Sequence, residues 1–136
     1  MRVGSSGEGL RELVSRIVAS QELRVIEQKV KAHELAHKSV GGELAGPVKY
    51  KYTKGPDGKL YITGGEVPLK LKEGKTPEET IEIAQKIRRA ALAPANPSPQ
   101  DRAVAAKATA MEIKARVEML TKGEEEQEGR FINLRL

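Results

Sequence analysis

The chain has 136 residues, a length that suits one compact domain, and its 3% aromatic content with no Trp asks for a core of Leu, Ile, Val, Ala and Met, which favours packed helices. It has no cysteine, so a disulfide framework and a thiolate metal site are both excluded, and any metal must be held by His and carboxylates. The formal charge of +5 is spread along the chain without aromatic–basic interleaving, so specific nucleic-acid binding is not expected.

Residues 1–9, rich in Gly and Ser, read as a flexible leader with no apolar signal-peptide core. No apolar run approaches a membrane span, and a soluble cytoplasmic protein is expected. A helical pattern runs over about 10–39, with a possible break at Ser20-Gln21. Leu23, Ile26, Val30, His33 and His37 recur at spacings of three and four, which puts them on one predicted helix face. Gly41-Gly42 then supplies a helix stop.

Two β-prone runs follow, 49–54 and 59–63, separated by Gly55-Pro56-Asp57-Gly58. They predict a β-hairpin. A symmetric four-residue turn would set Tyr52 opposite Tyr61 and Tyr50 opposite Thr63, with all three tyrosines on one face. Cross-strand aromatic packing would by itself account for them. After Gly64-Gly65-Glu66-Val67, a short extended piece leads to Thr76-Pro77-Glu78-Glu79, which carries a cap, a first-turn proline and the acid of a capping box. That helix should reach about Leu92, before Pro94. Ser98-Pro99-Gln100-Asp101 repeats the start signal. A last helix to about Lys122 would bury Val104, Ala108, Met111, Ala115 and Met119, and Gly123 would end it. Residues 123–136 form a charged tail that opens acidic and ends in Phe131-Ile132-Asn133-Leu134. The expected architecture is α+β and mainly α: motif helix, β-hairpin and two further helices in one small zincin-like domain over 10–122.

The residues that bear chemistry are His33-Glu34-Leu35-Ala36-His37. Histidines at i and i+4 lie one turn apart on one helix face, with Cβ atoms about 5–6 Å apart, close enough to share one ion. A Glu at i+1 points about a quarter turn away, where it can reach a water on that ion. The chain holds two histidines and both are in this motif. The pattern implies a zinc site with His33 and His37 as ligands and Glu34 as general base in hydrolysis of a peptide bond by a zinc-activated water. Tyr61 or Tyr52 is a candidate donor to the oxyanion, and the hairpin edge a candidate strand for a peptide or protein substrate.

Six segments together resemble one family. They are Val30-Lys31-Ala32-His33-Glu34-Leu35-Ala36-His37; Gly41-Gly42; Tyr50-x-Tyr52-x-x-Gly55-Pro56-Asp57-Gly58; Tyr61-x-x-Gly64-Gly65-Glu66-Val67; Arg88-Arg89-Ala90-Ala91-Leu92-Ala93-Pro94; and Pro97-Ser98-Pro99-Gln100-Asp101-Arg102. In this order they resemble the SprA-related metalloprotease family of bacteria, over about residues 23–110. The resemblance implies a zinc peptidase, with His33 and His37 on metal-ligand positions and Glu34 on the catalytic position.

With no third histidine, a further protein ligand must be an oxygen donor. Glu66 is favoured over Glu43, because Gly64-Gly65 would let the backbone come close and aim the carboxylate inward. Glu78 and Glu79 read as helix-start residues, and Asp101 is a more distant candidate. Glu66 could instead hold a ligand histidine through its other ring nitrogen. The rival reading is a non-catalytic helical binding module with a structural metal or none. The substrate and the oligomeric state are not legible in the sequence.

Overall fold

The computed structural model describes the backbone of residues 3–135 and the side chains of residues 7–123. Residues 1 and 2 of the expected leader, residue 136 of the expected tail, and the side chains of Phe131, Ile132 and Leu134 lie outside the described residues. The element order is α1 (Val3–Gly41), a 3-10 turn (Gly42–Leu44), β1 (Lys49–Lys54), β2 (Leu60–Glu66), α2 (Pro77–Ala91) and α3 (Pro99–Arg135). The fold class is therefore α+β and mainly α. The chain packs as two compact units. Unit 1 comprises residues 1–35 and 47–68, and unit 2 comprises residues 36–46 and 69–136. Helix α1 contributes to both, and the expected domain takes in parts of both.

The helices are longer than the sequence pattern predicts. Helix α1 starts at Val3 and runs unbroken through Ser20-Gln21. Once a helix is nucleated, each further residue costs little, so the glycines of the expected leader are carried along. Its end agrees with the sequence: Gly42 adopts φ +53°, a left-handed conformation that terminates the helix. Helix α3 passes through Gly123 and continues to Arg135. One glycine costs a helix about 1 kcal/mol relative to alanine, and the flanking Glu and Gln residues are good helix formers.

In unit 1, the hairpin packs on α1. The expected stripe on α1 holds at Leu23, Val30, His33 and His37 and departs at Ile26. Ile26 is 41% exposed, and Glu27 takes the inward position beside it. The reason is a hydrogen bond that an isoleucine could not make: the Ile62 N–H donates to Glu27 Oε2 at 2.7 Å. The hairpin register also differs from the symmetric expectation. The connection has five residues, with the Gly55 N–H donating to the Lys59 carbonyl at 2.8 Å and the Gly58 N–H to the Gly55 carbonyl at 3.0 Å. Tyr52 therefore stands opposite Ile62, and Tyr61 opposite Thr53. A slip of one residue redirects every side chain. Tyr61 is buried whereas Tyr52 is 56% exposed, so the tyrosines do not share a face. A bulge between Lys51 and Tyr52 then sets Tyr50 against Gly65 and Lys51 against Gly64.

In unit 2, α2 and α3 pack around Leu44, Ile87 and Ala108, with Leu69, Ile83, Val104 and Met111 against them. Ala84, Ala90, Ala91, Ala105 and Ala115 are buried as well. Small side chains let the two helices approach closely. The predicted stripe on α3 holds at Val104, Ala108, Met111 and Ala115, while Met119 is exposed. Both helix starts form as expected. Thr76 caps α2 by accepting from the Glu79 N–H at 3.1 Å, although the Glu79 carboxylate accepts from the Lys75 N–H rather than that of Thr76. At α3, the Asp101 N–H donates to Ser98 Oγ at 3.0 Å and the Ser98 N–H donates to Asp101 Oδ2 at 2.9 Å. Buried Glu112 joins Arg88 of α2 and Arg116 of α3, each at 2.8 Å. Hydrogen bonds from Arg116 and then Arg88 hold its carboxyl below the usual carboxylate range.

Two outcomes follow from this core. Ile87 is fully buried, so Ile87→Ala should cost about 2–5 kcal/mol in urea denaturation, through lost contact and a residual cavity. Because the Glu112 carboxyl is lowered on folding, its contribution is present above the ordinary value of 4.5 and is lost as pH falls through its lower folded value. Glu112→Gln should therefore lower the denaturation midpoint at neutral pH and flatten its decline on acidification. An unchanged acid limb would rule Glu112 out as its source.

Candidate metal centre

Three side chains with metal-binding atoms meet at the end of α1. His33 and His37 occupy successive turns of this unbroken helix. The second lies in unit 2 and is 3% exposed. Its Nδ1 lies 2.8 Å from the carbonyl oxygen of Ala90, in the last turn of α2. Carbonyls in that turn lack a full set of helical partners and accept from outside the helix. A carbonyl can only accept, so Nδ1 carries the hydrogen, and the lone pair of the neutral ring is on Nε2. Nε2 lies 3.1 Å from Asp101 Oδ1.

Asp101 is placed by the start of α3. Its Oδ2 accepts from the Ser98 N–H, which fixes the carboxylate plane and leaves Oδ1 turned to His37. Among the described residues, His33, His37 and Asp101 form a group that could hold a metal ion, with one ligand atom from each and all of these within 4.8 Å of one another. Two imidazoles and a carboxylate are a donor set that zinc accepts in sites with an open fourth position. In a tetrahedron with bonds of about 2.0–2.1 Å, neighbouring donors stand about 3.3 Å apart, close to the His37–Asp101 separation. The hydrogen bond from His37 to a backbone carbonyl is the support that ligand histidines ordinarily have.

The other candidates fall elsewhere. Glu34 is 4% exposed and lies against the hairpin of unit 1. A Cβ on Gly65 would sit 3.2 Å from Glu34 Cγ, so the absence of a side chain at 65 is what gives Glu34 its room. Glu66, favoured as third ligand, is exposed at the end of β2 opposite Lys49, and Glu43 is exposed on the 3-10 turn. Neither belongs to the group that the structure assembles; the carboxylate there is Asp101. The Gly64-Gly65 pair does bring backbone close to α1, but the residue it accommodates is Glu34.

Tyr61 is not beside Glu34. Its hydroxyl donates to Asp57 Oδ2, which raises the phenol and lowers the Asp57 carboxyl from their ordinary values. Arg24 also hydrogen-bonds the phenol. Ten residues of helix, about 15 Å, separate Arg24 from Glu34. A cavity of about 340 Å³ in unit 1 lies at that level too, between residues 13–24 of α1 and Pro56-Asp57, and not at the histidines.

In the sequence Asp101 ranked behind Glu66 and Glu43 as a ligand candidate, and its stronger signal was that of a helix-start residue, which the structure bears out. A carboxylate has two oxygens, and the cap uses one. No local pattern states which side chain the other will meet.

Among known proteins, the model of the SprA-related family matches residues 13–128, so the chain belongs to the SprA-related family. No curated protein and no solved structure matches it.

If Asp101 is a ligand, Asp101→Asn should weaken zinc binding in calorimetric titration by more than about 100-fold, beyond what loss of a group that merely orients a ligand histidine costs. The asparagine can still accept from the Ser98 N–H, so the helix content should hold. Unaltered zinc affinity would remove Asp101 from the site.

Proposed function

We propose that this protein is a zinc-dependent peptidase. The observation that carries the proposal is the group His33, His37 and Asp101 in a chain whose Glu34 directly follows the first of these histidines. Zinc held by the three side chains would supply a polarising charge and an acidified water. Glu34 takes a proton from the attacking water as its oxygen bonds the peptide carbonyl carbon. It then passes that proton to the amine nitrogen as the C–N bond breaks. Burial of Glu34 on the hairpin side restricts its rotamers, so the carboxylate is held in one place for both transfers. His37 keeps its orientation through Ala90, and Asp101 through Ser98. The hairpin is a two-stranded sheet, and an extended peptide could add to it as a further strand.

One observation also favours the second reading, a protein without catalytic metal. At 3.1 Å, a protonated His37 Nε2 could donate directly to Asp101, and the pair would then tie α1 to α3. Metal analysis of the purified protein, paired with Glu34→Gln, separates the two readings, because only the first requires stoichiometric zinc together with hydrolysis that depends on Glu34.

No helix among the described residues is long and apolar enough to cross a membrane.

The decisive variant is Glu34→Gln. It should bind zinc as the wild type does and lose peptide hydrolysis by about 10²–10⁴-fold, since an amide cannot accept the proton. Wild-type turnover of a peptide library by Glu34→Gln would eliminate Glu34 as the base.

A further inference from the structure

The tyrosine that borders Glu34 is Tyr50, which the sequence pattern did not single out. Tyr50 stands opposite Gly65 in the β1–β2 ladder. Directly paired residues project from the same face of a sheet, so the ring lies over the glycine. A Cβ on Gly65 would meet Tyr50 Cδ1 at 3.1 Å and Glu34 Cγ at 3.2 Å. The aromatic ring and the Glu34 side chain thus close over the same empty position. The bulge between Lys51 and Tyr52 creates this juxtaposition. Without the extra residue, the register at Tyr52–Ile62 would continue to pair Tyr50 with Gly64. Tyr50 is half-buried, so the fold holds part of its ring while part of the side chain reaches solvent.

We propose that Tyr50 is a catalytic residue that hydrogen-bonds, through its hydroxyl, to the substrate carbonyl oxygen as that oxygen gains negative charge. The proposal rests on the peptidase reading. Tyr50 transfers no proton. The water oxygen bonds the carbonyl carbon, the C–N bond breaks, and Glu34 carries the water proton to the amine. The Tyr50 hydroxyl strengthens one hydrogen bond as charge develops, which is the kind of contact that accelerates a reaction rather than merely binding its substrate. Tyr61 cannot take this role while its hydroxyl is engaged by Asp57 and Arg24 at the turn end of the hairpin.

The test uses the zinc-loaded full chain, a peptide library, and a phosphinic analogue of the first peptide cleaved, whose tetrahedral P–O⁻ group mimics the charged oxygen. Tyr50→Phe keeps the ring over Gly65 and removes only the hydroxyl. It should lower kcat by about 10²–10³-fold with KM little changed. It should also weaken binding of the phosphinic peptide by more than about tenfold, while zinc affinity and Tm stay as in the wild type. If Tyr50→Phe cleaves and binds the analogue like the wild type while Glu34→Gln is inactive, the role of Tyr50 is refuted and the peptidase reading stands. If Tyr50→Phe loses zinc, its hydroxyl serves the metal centre and the proposal is likewise refuted. A zinc-loaded wild type that cleaves nothing refutes both.

Discussion

A buried imidazole must have both ring nitrogens satisfied, and that requirement at His37 organises unit 2. Removing a polar group from water is costly unless a partner replaces the lost hydration. His37 Nδ1 finds its partner in the Ala90 carbonyl, and Nε2 stands 3.1 Å from the Asp101 carboxylate, where a proton or a shared cation supplies the second. The first ties the end of α1 to the end of α2, and the second ties it to the start of α3. The small residues around the contact, among them Ala90, Ala91 and Ala105, allow the helices to come close enough for it. The candidate metal centre is a consequence of the same arrangement. The hydrogen bonds that orient its ligands lie at the last turn of one helix and at the cap of another.

Unit 1 meets a similar demand with carboxylates. Glu27 and Glu34 lie seven residues apart on the face of α1 that meets the hairpin, two turns along one side. Glu27 satisfies a backbone donor of β2, and this fixes the height of the hairpin along the helix. Glu34 then falls at the Gly64-Gly65 end, where no side chain competes for space. The bulge and the five-residue connection adjust the register so that Tyr61 faces the turn and Tyr50 faces Glu34. Glu27, which binds a backbone donor, and Glu34, the proposed base, thus occupy equivalent positions on the same stripe.

The sequence by itself determined the local features. The HExxH spacing put two histidines on one helix face. The cap at Thr76 and the box at Ser98–Asp101 fixed two helix starts, Gly42 fixed a helix end, and the two β-prone runs fixed a hairpin. Each depends on residues within a few positions of one another, and short-range geometry gives such patterns little freedom. Only the tertiary structure decided which carboxylate joins the histidines, which tyrosine borders Glu34, and that Glu27 rather than Ile26 turns inward on α1. Those outcomes turn on a single added residue in a connection, on a bulge, and on the second oxygen of a carboxylate whose first is spent on a cap. Glu66 and Asp101 are each plausible donors along the chain. Asp101 meets His37 because the cap at the start of α3 spends one carboxylate oxygen on the Ser98 N–H and turns the other to the imidazole, a pairing between distant parts of the chain that local pattern does not record.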